Sequence, residues 1–149
     1  MADSNQYLCV VLGGVEYLLP GAASLAIEQR HVLIPENGGG PLVAWRQSRQ
    51  GRWPVYGLDA LLRPARPQAW QRAVFLDSAP TPVGLAADEV RLLGRSDLNV
   101  TPFTPLGPPP TRAGHYFDGA WVDGQKVVFV FAARGLAEAL RAAGAGGRT

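Results

Sequence analysis

Pro82-Val83-Gly84-Leu85-Ala86-Ala87-Asp88-Glu89-Val90-Arg91-Leu92-Leu93 is the stretch on which the reading of this chain turns. An apolar run, Val83 to Ala87, is broken by an acidic pair and resumes at Val90 with Leu92 and Leu93. Each segment is too short for a helix and the whole is bounded by turn formers, so it reads as one strand, a bend and a second strand. Adjacent carboxylates on a strand point to opposite faces, so Asp88 and Glu89 cannot act jointly on one substrate atom. A structural or recognition role is expected of them.

Working outward, Gln71 to Asp77 is the strand before it, joined through the turn Ser78-Ala79-Pro80-Thr81. After it, Gly94 to Asn99 and Val100 to Thr111 form a polar, proline-rich excursion that reads as surface loop. Tyr116 to Val122 and Gln125 to Phe131 then make a hairpin around Asp123-Gly124. Val127 to Phe131 is apolar at every position, which predicts burial on both faces. Gly135 to Ala143 is a closing helix with Leu136 and Leu140 inward, and 144–149 is expected to be a flexible tail.

The first half has the same grammar. Tyr7 to Leu12, Gly13-Gly14 and Val15 to Leu19 form a hairpin, and Ala22 to Gln29 continues as a short strand or a single helical turn. Pro35 to Pro41 is loop by composition, and its glycines lack the Gly-Lys-Ser/Thr ending of a phosphate loop. Leu42 to Trp45 and Arg52 to Tyr56 read as strands, while Leu58, Leu61 and Leu62 share one face of one or two helical turns. The proline-rich connector from Arg63 to Ala69 marks the midpoint. The chain is therefore expected to be mainly β, forming two small five-stranded antiparallel SH3-like barrels on a shared core with a short C-terminal helix. Residues 1–145 make one domain of two lobes, about 6–69 and 70–143, between which strands can be exchanged.

Composition narrows the function classes. The chain has 149 residues, 47% of them apolar, with a formal charge of +2 and no long Lys/Arg run. That is enough for one domain with a proper core and a weak signal for nucleic acid. The lone Cys9 lies in an apolar strand and excludes an intrachain disulfide, which favours a reducing, cytoplasmic compartment. No run approaches the ~18 apolar residues that would span a bilayer, so direct membrane insertion is not expected. His31 and His115 have no nucleophile or acid at motif spacing and no metal-ligand pattern, so neither catalysis nor a cofactor or metal is expected. Trp45, Arg46, Arg49, Arg52 and Trp53 alternate arginines and aromatics over one hairpin; this is the alternative reading, a barrel that stacks on single-stranded nucleic acid.

The order of these motifs is similar to that of the CheW-like domain, the adaptor that couples chemoreceptors to the histidine kinase CheA in bacterial chemosensory arrays. Tyr7 to Tyr17 resembles the family's opening strand, Leu-Gly turn and Glu-Tyr return strand. Arg49 with Pro54-Val55-Tyr56-Gly57-Leu58 resembles its arginine and Pro-Val-x-Asp-Leu signature, and Val83 to Val90 resembles Val-Gly-Leu-x-Val-Asp-Glu-Val. The resemblance implies a non-enzymatic adaptor, located in the cytoplasm and recruited to membrane-associated arrays. Its implied partners are a chemoreceptor's cytoplasmic tip, the CheW-like regulatory domain of a histidine kinase and other CheW-like proteins, with no nucleic acid. Carried over position by position, the receptor groove is Ser24, Ile27, Arg49, Gly84 and Val90. Ser24, Ala44, Gln50, Gly57 and Ala132-Ala133 depart from the family pattern and point to a divergent member.

Overall fold

The computed structural model describes residues 6–93, 98–110 and 114–146. Twelve strands run in chain order: β1 (Tyr7–Leu12), β2 (Val15–Pro20), β3 (Ser24–Gln29), β4 (Ile34–Pro35), β5 (Leu42–Ser48) and β6 (Gly51–Tyr56). They continue as β7 (Arg72–Leu76), β8 (Val83–Ala87), β9 (Glu89–Leu93), β10 (Val100–Pro102), β11 (Phe117–Asp123) and β12 (Lys126–Phe131), and helix α1 (Ala133–Gly146) closes the chain. They form two six-stranded sheets, ordered β10-β11-β12-β2-β1-β9 and β3-β7-β8-β6-β5-β4.

The sheets follow one plan. In each, two hairpins meet along a single parallel pair, β12 with β2 or β6 with β8, and each hairpin carries a further antiparallel strand on its outer side. Sequence halves and sheets do not coincide: the β1–β2 hairpin completes the sheet of β9 to β12, while β3 to β8 make the other. The chain crosses between sheets at 21–23, a 3-10 turn, and at Asp88. There the Asp88 N–H donates to Val11 O (2.8 Å), and its carboxylate accepts from Gly14 N–H (3.3 Å). A single residue with both ends tied to the β1–β2 hairpin turns β8 into β9.

Three apolar layers result. The largest lies between the sheets, where Leu8, Val10, Leu12, Tyr17 and Leu19 face Val74, Leu76, Val83 and Leu85, with Leu136 and Leu140 of α1 packed in. Each sheet also curls on itself. Val43, Val55, Trp70, Phe75 and Ala86 fill the first curl, where Arg46 of β5 reaches Glu28 of β3 (3.4 Å) although the two strands are four places apart in the sheet. Cys9, Leu18, Val128 and Val130 fill the second.

Several expectations need correction. Each sheet has six strands because β4 and β10, both placed in loops, form short edges; each contains a proline, which an edge tolerates because its free side needs no donor. Leu58 to Leu62 is not helical. The Asp59 carboxylate captures the N–H groups of Leu61 (2.9 Å) and Arg63 (3.0 Å), folding the segment into a turn in which Leu62 takes φ 61° and Leu58 bridges to Pro64. Val127 to Phe131 is not buried on both faces: Val128 and Val130 enter the curl, but Val127 and Phe129 lie exposed beyond the inter-sheet layer, which only Phe131 reaches. Helix α1 continues to Gly146, past the expected start of the tail; 147–149, 94–97, 111–113 and 1–5 lie outside the described residues.

Two of the departures from the family pattern have local explanations. A Cβ on Gly57 would overlap Pro67 and the carbonyl of Ala65, so no side chain fits where the family pattern has aspartate. Gln50 sits in the β5–β6 turn, and the next residue, Gly51, takes the left-handed conformation there at φ 122°. Gly57→Ala is expected to cost at least ~1–3 kcal/mol, because backbone and a proline ring cannot move aside; a urea unfolding curve showing an unchanged midpoint would refute this. Leu85 is fully enclosed between the sheets, and Leu85→Asp should remove cooperative unfolding altogether, since a buried unpaired charge costs roughly 3–5 kcal/mol against a total of ~5–15.

Candidate functional site

The sequence-predicted residues divide by face. Residues of β7 alternate between the inter-sheet layer (Val74, Leu76) and the curl (Ala73, Phe75). Cross-strand partners share a face, so the pairings Ser24 with Leu76 and Ile27 with Val74 turn both residues of β3 toward the inter-sheet layer. A spacing of three would put them on opposite faces of a regular strand. The register shift between Ser24 and Ala26 absorbs the difference, with Leu25 as the bulged residue.

On the facing sheet, Val90 pairs with Val10 and Leu92 with Leu8, both members of the inter-sheet layer. Strand β9 lies across β7, whereas α1 covers β8 and β6. One side of the layer is therefore closed by the helix, and the other ends at the two edge strands β3 and β9. There Leu25 (51% exposed), Ile27 (39%) and Leu92 (60%) present apolar surface to solvent, and Val90 is half-buried against the layer. Together they form an apolar seam between the sheets.

Gly84 lies elsewhere. It is buried, it pairs with Phe75, and a Cβ on it would stand 2.7 Å from Phe75 Cε1 and 3.1 Å from Val55 Cγ2, so it faces the curl. Its role is to let that ring pack. Arg49 is exposed on the β5–β6 turn. Val55 is level with Gly84 and β6 runs parallel to β8, so the start of β6 projects past the Leu76–Val83 pair, the end at which Ser24 sits. Ser24, Ile27, Val90 and Leu92 thus share the inter-sheet faces of two edge strands, Leu25 lies exposed beside them at the bulge, Arg49 stands beyond one end and Gly84 faces the curl. Leu92 was visible in the alternation with Val90; the bulge at Leu25 had no signal in the sequence.

The arginine and tryptophan cluster is split. Trp45 and Arg46 are successive strand residues on opposite faces; Trp45 Nε1 donates to Glu36 Oε2 (3.0 Å) at one face. Arg46 lies over Trp53 (4.6 Å to the ring centroid) and pairs with Glu28 at the other, and Trp53 packs edge-on against Phe75. Trp53 and Arg46 are committed to each other and Trp45 to Glu36 on the opposite face, so the two rings do not form a shared stacking platform. The Cys9 thiol is buried beside Arg91 Nη2 (3.4 Å), and burial holds its pKa above the ordinary value despite that arginine, which keeps it protonated and unreactive. No helix among the described residues is long and apolar enough to cross a membrane.

Neither a family model nor a curated protein sequence matches this chain. Its structure is similar to the crystal structure of the scaffolding protein TtCheW from Thermoanaerobacter tengcongensis, with a TM-score of 0.59 over 88% of this chain and 90% of that one at 16% sequence identity. Two strand-exchanged, curled sheets around a common apolar layer, with a helix closing one side, give this chain the CheW-like fold.

Proposed function

We propose that the protein is a non-enzymatic adaptor of a bacterial chemosensory system, joining a chemoreceptor's cytoplasmic tip to the CheW-like regulatory domain of a CheA-type histidine kinase. The observation that carries this reading is the apolar seam of Leu25, Ile27, Val90 and Leu92 along the open side of a CheW-like fold. A row of aliphatic side chains between two rigid sheet edges suits one face of an amphipathic helix, which supplies anchors at i, i+3 and i+4. Arg49, exposed beyond the Ser24 end, is the residue we assign to hold a carboxylate or a carbonyl of the docked helix by a charge-assisted bond. Other CheW-like proteins are further candidates for partners, because one pseudo-repeated fold can pack against another.

In this reading the protein works in the cytoplasm and is held at membrane-associated receptor arrays by its partners. Each interface is modest, and simultaneous engagement of receptor and kinase multiplies the two affinities through effective concentration. No step requires a nucleophile, a metal or a cofactor.

Co-elution of the purified protein with a cognate receptor tip and with a kinase regulatory domain tests the proposal. Capture of the tip should be lost in Ile27→Asp and Leu92→Asp and weakened in Val90→Asp and Arg49→Glu, while thermal unfolding of the Ile27, Leu92 and Arg49 variants stays close to that of the parent. Absence of binding to either partner, or equal capture by parent and variants, would overturn it. A labelled single-stranded oligonucleotide titrated at low salt should show no saturable binding.

A further inference from the structure

A second concave site lies outside the seam. A cavity of about 490 Å³ is lined by Gln29, Arg30, His31, Leu33, Pro35, Gln71 and Arg72. Its polar side chains are two guanidiniums, an imidazole and two carboxamides, and no carboxylate lines it among the described residues. Elsewhere Arg46 pairs with Glu28, Arg63 with Asp59, and Arg91 with Glu16 and Glu89, while Arg66 is held by backbone carbonyls and Arg141 by the hydroxyls of Ser78 and Thr81. Glu28, the acid next along β3, is turned to the other face and spent on Arg46.

The backbone holds this charge in place. Gln29 and Arg72 are cross-strand partners, and the Arg30 N–H donates to Gln71 O (2.8 Å). The Arg30 guanidinium is fixed as well: Nη1 donates to Gln68 O and Trp70 O, both at 3.0 Å, and the plane lies 4.6 Å from the centroid of the buried Trp70 ring. Its Nε and Nη2 are left over for a ligand. Arg30 and Arg72 both line the cavity and no carboxylate lines it with them, so an oxyanion entering it can accept charge-assisted, fork-shaped bonds from guanidiniums. Leu33 and Pro35 add an apolar wall.

We propose that this cavity is an oxyanion-binding site for a phosphate or carboxylate group borne on a partly apolar body, held by Arg72 and the pre-set edge of Arg30 with the carboxamides of Gln29 and Gln71. Gln29 and Arg72 follow Ile27 and Val74 on the same face, so the site adjoins the seam at the end away from Ser24, but it does not rest on the adaptor reading.

Amide NMR titrations at low ionic strength with inorganic phosphate, phenyl phosphate and a short glutamate-rich peptide test it. Saturable shifts should centre on Arg30, His31, Gln71 and Arg72, with phenyl phosphate binding more tightly than inorganic phosphate because its ring covers Leu33 and Pro35. Arg72→Gln should weaken binding about tenfold, Arg72→Lys less, and Arg63→Gln, whose guanidinium is already paired, not at all. Localised binding of the peptide assigns the anion to a protein partner, and localised binding of the phosphates alone assigns it to a small ligand; both support the site. Non-saturating shifts, shifts spread over every arginine-bearing surface, or equal effects of Arg72→Gln and Arg63→Gln would overturn it.

Discussion

The constraint on which everything else depends is that neither sheet can keep its own inner face out of water. Val10 and Leu19 on one side and Val74, Val83 and Leu85 on the other are completely enclosed only because the sheets lie face to face, and burial of such side chains is worth ~1.5–3 kcal/mol each. Strand exchange makes the arrangement obligatory. With β1 and β2 supplied from the far end of the chain to the sheet of β9 to β12, the crossovers at 21–23 and Asp88 tether the two layers from both sides. The seam at β3 and β9 is what remains when two curled sheets share one layer and a single helix covers only one of its sides.

Much of this was legible in the residues. Hairpin chemistry at Gly13-Gly14 and Asp123-Gly124, and the acidic break at Asp88, located most strands and the bend between β8 and β9, because turn geometry and local polarity act within a few residues. The edges were not legible. Ile34-Pro35 and Val100 to Pro102 are strands only because a neighbour offers them a ladder, which no local pattern encodes. Leu58 to Leu62 shows the opposite failure: the helical spacing is present, but one carboxylate, Asp59, bonds the backbone more tightly than the spacing can bury leucines.

The candidate site was less legible. Ile27 and Val90 came from the resemblance alone, and the bulge that aligns Ser24 with Ile27 is a register event between distant segments. Gly84 shows why a motif position cannot be read as a contact. It is required for the approach of Phe75, two strands of the same sheet meeting in its own curl, and this requirement alone would hold a glycine there.

The placement of β1 and β2 also sets an order of events at the ribosome. Residues 24–87 form one sheet from contiguous chain, in which the hairpins β5–β6 and β7–β8 are local and the pairings of β3 with β7 and β6 with β8 are completed once β8 has emerged. The hairpin made first waits longest, since its lateral partners β9 and β12 are synthesised after that sheet is complete, and its pairing closes a loop of most of the chain. Until β7 and β8 emerge Leu8, Val10 and Leu19 lack the facing sheet, and until β9 and β12 follow the hairpin's edges stay unpaired, so the nascent protein carries an apolar, strand-forming segment that invites chaperones and misassembly.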